Sequence, residues 1–274
     1  MKTCLTVIAL VLCYSVGSGS ILAQAASVVR PDPENTVFLD NCPIVEDGSD
    51  TYDPNTRTCG NGKYKVFSDL IQAIVALKQA DVLYVRAGTY SRVVTPNVKV
   101  HGNDVNYWEG ALAVHVTGTP EQHKVVRAYR DEEVVIQAKP GVSQYNPDPS
   151  DRSFRKSSHF YPNPAISISG AYVDVGGFKT FGQVVINAHD ATLERCDLGG
   201  GGPHMNQGQV VVLNSNRPGG VYNVVVRNNR IHHSTWGESV GNSSTIMCYN
   251  ASFIVEHNEF YEGYGSDICL KDTG

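Results

Sequence analysis

Charge is scarce in this 274-residue chain: Asp, Glu, Lys and Arg make up 18% of it, with a net charge of −5. That composition fits neither a coiled coil nor a disordered tail. The one strongly apolar stretch, Leu5 to Val16, is too short to span a membrane. The seven cysteines show no CxxC spacing, which removes the usual structural zinc sites. Three aspartates in the run Asp47 to Asp53 lack EF-hand spacing and read as a solvated loop rather than a calcium loop. Asp, Glu and His are too scattered to nominate a hydrolase carboxylate pair. A mildly acidic balance argues against nucleic acid as a partner. It leaves an acidic polysaccharide open where positive charge is gathered locally.

Glycine (26) and proline (13) are plentiful and fit a turn-rich, all-β chain. The N-terminus reads as a secretory signal over residues 1–25. Lys2 supplies the positive start, Leu5 to Val16 the apolar region, and Ala23-Gln24-Ala25 a small-x-small cleavage pattern. A lipoprotein signal ending at Cys13 is the competing pattern, and Leu12 fits it poorly. Cleavage after Ala25 leaves 21 basic residues against 27 acidic ones, net −6, because Lys2 is the only charge removed. In an oxidising compartment Cys42 and Cys59, which bracket a polar loop, are the natural disulfide pair.

The second half carries a four-fold echo: Gly176-Gly177-Phe178, Cys196-Asp197-Leu198, Asn229-Arg230-Ile231 and Asn258-Glu259-Phe260. Each follows a β-type run, and another strand-like run lies just before that. Two strands and a bend, repeated with loops of varying length, predict a coiled β solenoid. Inward positions on the first strand of each coil are Ile168, Ile186, Val212, Cys248 and Leu270, at spacings of 18, 26, 36 and 22 residues. Asn229 and Asn258 are expected to stack at the bend and satisfy its backbone. Arg227 and Glu256 fall at matching positions of adjacent strands and are expected to pair.

Residues 26–65 read as an entry segment with a disulfide-closed loop, and 66–274 as the β-helix domain. Phe67, Leu70, Ile71, Ile74 and Leu77 recur at helical spacing, which predicts a helix over 66–79 with Ser68 as N-cap. Such a helix would cover the open end of the first coil. Residues 140–164 form a proline-rich insertion. The chain stops at Gly274, directly after a first strand and with no closing coil, so the pattern predicts a truncated β-helix.

Three stretches together resemble the right-handed parallel β-helix proteins of the pectate-lyase-like superfamily. They are the helix leading into Asp81 to Tyr90, the run from Gly118-Thr119-Pro120 to Ile136, and the repeat from Ala165 to Leu270. The second is similar to a segment of secreted polysaccharide lyases of the alginate lyase and chondroitinase B type. The resemblance implies an all-β, single-stranded β-helix with an N-terminal capping helix. It also implies β-elimination on uronic acid polymers, with calcium as a possible cofactor. In such lyases a Lys or Arg on the outer face removes the proton alpha to the carboxylate. Here that role falls to Lys271, beside Tyr249 one coil below, with Asp267 and Asp272 near enough to hold a cation. Arg230, His232, His233 and Trp236 form a second candidate set, suited to stacking a sugar ring and binding its carboxylate. Outward Val185, Val211, Met247 and Cys269 favour a different function, a non-catalytic surface or adhesive β-helix. A glycoside hydrolase or epimerase on the same fold is the third expectation. Any of these is read as acting outside the cytoplasm.

Overall fold

A computed structural model describes residues 32–42, 45–93, 98–100, 103–105, 109–139, 164–199, 209–213, 220–232, 244–262 and 266–271. The signal-like segment, most of the proline-rich insertion, His233, Trp236 and Asp272 lie outside them.

The chain winds as a parallel β-helix with three strands per coil, one more than the repeat suggests. The first sheet contains Leu112–Val114, Ile166–Ile168, Val184–Ile186, Val210–Leu213, Ser244–Tyr249 and Ser266–Lys271. The second contains eight strands, in order Lys65–Phe67, Thr36–Leu39, Val82–Val85, Lys124–Ala128, Val173–Gly176, Ala191–Glu194, Val224–Arg227 and Phe253–Glu256. The third is built from Gly88–Val93, Val134–Lys139, Lys179–Phe181, Asp197–Gly199, Arg230–His232 and Glu259–Tyr261. The residues read as a bend are therefore the third strands.

Alternation sends every second side chain inward. Ile168, Ile186, Val212, Cys248 and Leu270 stand in one register, as the spacing predicts. Val175, Leu193 and Val226 face them from the second sheet, and Ile136, Leu198 and Ile231 from the third, all buried. Each such side chain taken from water contributes about 1.5–3 kcal/mol.

The tight bend between second and third sheets places Gly177, Arg195, Asn228 and His257 in the left-handed region. The next residues form a row: Phe178, Cys196, Asn229 and Asn258. The Asn229 carboxamide oxygen accepts from the Cys196 amide (2.9 Å), and its Nδ2 donates to the Leu193 carbonyl (3.0 Å). Asn258 repeats the pattern, accepting from the Asn229 amide (2.9 Å) and donating to the Val226 carbonyl (2.8 Å). The expected asparagine ladder is present. Phe178, however, occupies the asparagine row, and Thr180 is the residue in register with Leu198.

The helix is shorter than its periodicity suggests, Leu70–Ala76, because Lys65–Phe67 is a strand. Asp69, not Ser68, is its N-cap: the carboxylate accepts from the Ile71 and Gln72 amides. Ser68 instead donates to Asp47, through both its amide and its hydroxyl. Leu70, Ala73 and Ile74 are buried against the end of the β-helix, so the capping role holds.

Cys42 and Cys59 are free thiols, so the expected disulfide is absent. Other contacts close that loop. Bridges join Tyr52 to Tyr64 and Asp53 to Thr58, and Arg57 pairs with Asp40. Buried Tyr52 donates to Asp40 (2.6 Å), while Arg86 donates to the Tyr52 hydroxyl (2.7 Å) and pairs with Glu132 (2.6 Å). Burial works against the Asp40 charge, but Arg57 and Tyr52 outweigh it and hold its carboxyl below the usual range. Outside the second sheet, Phe38, Tyr52, Tyr64, Tyr84 and Tyr129 pack ring on ring at 5.2–5.7 Å. Tertiary hydrogen bonds and aromatic packing thus perform the task assigned to a disulfide.

Candidate functional site

The three outer faces differ in chemistry. On the first sheet the outward row is Ala113, Ser167, Val185, Val211, Met247 and Cys269. Val185, Val211 and Met247 are buried, so this part of the row is covered, whereas Ala113 and Ser167 line a cavity beside Ile71, Arg92 and Glu109. Tyr249 is half-buried and in register with Lys271, as the alternation predicts. Asp267 is exposed on the same strand. The Lys271 side chain is outside the described residues. Among the described residues no group of three or more His, Cys, Asp and Glu is arranged to hold a metal ion. In the acidic loop, Asp47 and Asp53 accept from local amides at Ser68 and Asn55.

The third sheet presents a polar outer face. Lys179, Asp197, Arg230 and Glu259 occupy one outward row in successive coils, alternating in sign. Parallel strands lie about 4.8 Å apart, which sets these charges on neighbouring strands; of the adjacent pairs, Arg230 and Glu259 form an ion pair. Arg230 Nε donates to Glu259 (3.2 Å), and Arg230 Nη2 donates to the Tyr261 hydroxyl (3.0 Å). The guanidinium also stands 5.3 Å from the Tyr261 ring centre. A second outward row begins at Phe181, 41% exposed, passes Gly199 and continues to His232 and Tyr261. The His232 and Tyr261 rings stack at 4.7 Å, 15° apart.

Glycine at 199 is a matter of space. A Cβ there would stand 2.4 Å from His232 Cε1, so the imidazole lies over bare backbone. From that position His232 Nε2 reaches Asp197 Oδ1 at 2.8 Å. In the tautomer that donates Nε2–H to this carboxylate, the lone pair is on Nδ1. Partial burial pushes the Tyr261 phenol up; nearby Arg230 opposes this, and Asp197 and Glu259 reinforce it. Arg230 stays firmly protonated, held so by Tyr261 and by its bond to Glu259. Arg230 and Glu259 are well exposed, at 57% and 64%. Such pairs contribute little to stability, about 0–1 kcal/mol.

The structure therefore brings Arg230 and His232 together from the second candidate set and adds Asp197, Glu259 and Tyr261. Sequence reading missed those three because they lie 29 to 35 residues away and meet only through coil register. A visible signal existed: charge of alternating sign just after the bend in each coil, at Lys179, Asp197, Arg230 and Glu259.

Fold and site together define an all-β parallel solenoid bearing an exposed band of paired charges and stacked rings. No family model, curated protein or solved structure matches this chain.

Proposed function

We propose that the protein binds an acidic polysaccharide along the outer face of the third sheet. The observation that carries this reading is Arg230, exposed beside the His232–Tyr261 stack. A guanidinium is suited to a uronate carboxylate, and rings beside it offer an apolar surface to a sugar. Glu259 holds Arg230 in place and yields to an incoming carboxylate of the same charge. The resemblance to the pectate-lyase-like superfamily and the signal-like N-terminus support the same reading and a location outside the cytoplasm. Here the binding face moves from the Lys271 side to the Arg230 side.

β-Elimination is the reaction this set supports. His232, oriented by Asp197, takes the proton alpha to the carboxylate. The electron pair of the broken carbon–hydrogen bond forms the new carbon–carbon double bond, the β carbon–oxygen bond breaks, and the Tyr261 hydroxyl protonates the leaving oxygen. Arg230 stabilises the charge that builds on the carboxylate. A non-catalytic reading is favoured by one observation: Arg230 is already paired with Glu259, and His232 with Asp197. An ultraviolet assay for unsaturated uronate products on alginate, pectate and chondroitin separates the two. Product from the natural chain that disappears in His232→Gln supports catalysis. Binding without product supports the adhesive reading, and neither binding nor product on any polymer sinks both.

A further inference from the structure

The outward row of the first sheet changes size along the solenoid. Val185, Val211 and Met247 occupy it in the later coils, but Ala113 and Ser167 stand there on the first two strands. Small side chains leave space, and the flank of the capping helix Leu70–Ala76 walls it in. The result is a cavity of about 180 Å³. Leu70, Ile71, Ile74, Ala111 and Ala113 give it an aliphatic wall. Ile71 is 47% exposed, an apolar side chain that the helix does not bury in the core.

The rest of the lining is polar. Arg92 and Glu109 form an ion pair there, so their charges cancel. Ser167 is buried, and its Oγ accepts from the Gly110 amide at 2.8 Å. Gly110 permits that approach, since a Cβ there would stand 2.7 Å from the Ser167 nitrogen. The bond uses one lone pair and leaves the hydroxyl proton without an acceptor among the described residues. A buried donor without an acceptor is costly and marks a place where one is expected. His115 Nδ1 lies 3.1 Å from the Ala113 carbonyl oxygen, which can only accept. In the neutral ring the lone pair is therefore on Nε2, which has no hydrogen-bond partner among the described residues. The cavity thus joins an aliphatic wall to an unused donor at Ser167 and an unused acceptor at His115.

We propose that this cavity binds one neutral sugar ring. An apolar cavity of about 150 Å³ holds benzene, so about 180 Å³ admits a single six-membered ring. A pyranose presents a face of C–H groups, which matches the aliphatic wall, and a rim of hydroxyls, each both donor and acceptor. Ser167 donates to one hydroxyl and His115 Nε2 accepts from another. The Arg92–Glu109 pair balances its own charge, so the lining selects neither an anion nor a cation. A plain aromatic ring of the same size would leave the polar lining unanswered. The site is separate from the Arg230 face and does not depend on the polysaccharide reading. The sugar is either free or the end unit of a glycan.

The test is a calorimetric titration of the full chain with glucose, galactose, mannose and xylose, with glucuronate and phenol as charged and aromatic controls. The cavity predicts saturable binding of at least one neutral sugar, tighter than either control. His115→Ala and Ala113→Leu each weaken it by about tenfold or more, while Arg230→Gln leaves it unchanged. His115 is exposed, so its replacement leaves the fold intact, which a denaturation midpoint verifies. Ala113→Leu fills the space without removing a polar group. Equal binding of the methyl glycoside identifies a chain end as the ligand, and preference for the free sugar identifies a monosaccharide; both support the site. No saturable binding of any of these sugars overturns it, and so does tighter binding of phenol or glucuronate. Sugar binding that survives both His115→Ala and Ala113→Leu also overturns it. Sugar binding lost in Arg230→Gln alone overturns the cavity while leaving the third-sheet reading standing.

Discussion

The first and third sheets share one backbone plan and face opposite demands. Both place strands of successive coils in parallel register, and both point a hydrophobic row inward. Outward, the first sheet shows Val185, Val211 and Met247, all buried, where the third shows Arg230 and Glu259 exposed and Asp197 half-buried. Aliphatic side chains there belong to a covered surface. Charges of alternating sign belong to a wet one, and their ladder adds little stability. The lesson is that an outward position in a solenoid is not by itself a functional position. Chemistry is to be sought on the face whose residues are not needed for folding.

That contrast breaks most visibly under substitution. Val211→Asp buries an uncompensated charge on the first sheet and is expected to cost about 3–5 kcal/mol. Glu259→Gln on the third is expected to change stability by no more than about 0.5 kcal/mol. Urea unfolding of both variants measures the difference, and equal costs would erase the distinction between the faces. Next in size is the bend that joins the second and third sheets. Asn229→Ala orphans the Cys196 amide and the Leu193 carbonyl, for an expected cost of about 3 kcal/mol.

Glu194 sharpens the comparison, because its ion pairs are shielded and those of Arg230 are not. Burial works against the Glu194 charge, but Arg195 and Arg227 outweigh it and hold its carboxyl below the ordinary range. A carboxyl lowered by folding contributes stability that is complete above the unfolded value, about 4.3, and lost as pH falls through the folded one. Glu194→Gln is therefore expected to cost about 2 kcal/mol at neutral pH, with the gap to the natural chain closing in acid. A gap independent of pH would mean that the arginines do not act through its charge. Smallest is Arg230→Gln, expected to leave the unfolding midpoint almost unchanged while reducing polyuronate affinity by about tenfold, worth about 1.4 kcal/mol of binding.

Much of the scaffold was legible in the sequence. The register from Ile168 to Leu270 follows from alternation and apolar type alone, because a one-residue slip would turn each strand inside out. The third sheet was hidden for a physical reason. Its strands in the repeat are only three residues long, and each follows a left-handed residue, so strand and bend read as one motif. Gly176-Gly177-Phe178 imitated the echo while standing two positions out of register, since a phenyl ring can occupy the row that asparagine fills later. Cys42 and Cys59 invited a bridge that Asp40, Tyr52, Arg57 and Arg86 make unnecessary. Arg230 and His232 were visible as candidates; their partners were not, because coil lengths set by variable loops decide which distant carboxylate lands beside them. The expected Arg227–Glu256 pair shows the same limit. Glu256 lies 4.0 Å away, while Glu194, one coil earlier, is the closer partner at 2.9 Å.

The central claim is that uronate binding belongs to the third sheet's outer face and not to the first's. Calorimetric affinity for an oligouronate, compared between Arg230→Gln and Lys271→Gln, tests it most directly. The account predicts that Arg230→Gln weakens binding by about tenfold and that Lys271→Gln leaves it unchanged. Binding lost in Lys271→Gln and retained in Arg230→Gln would contradict it.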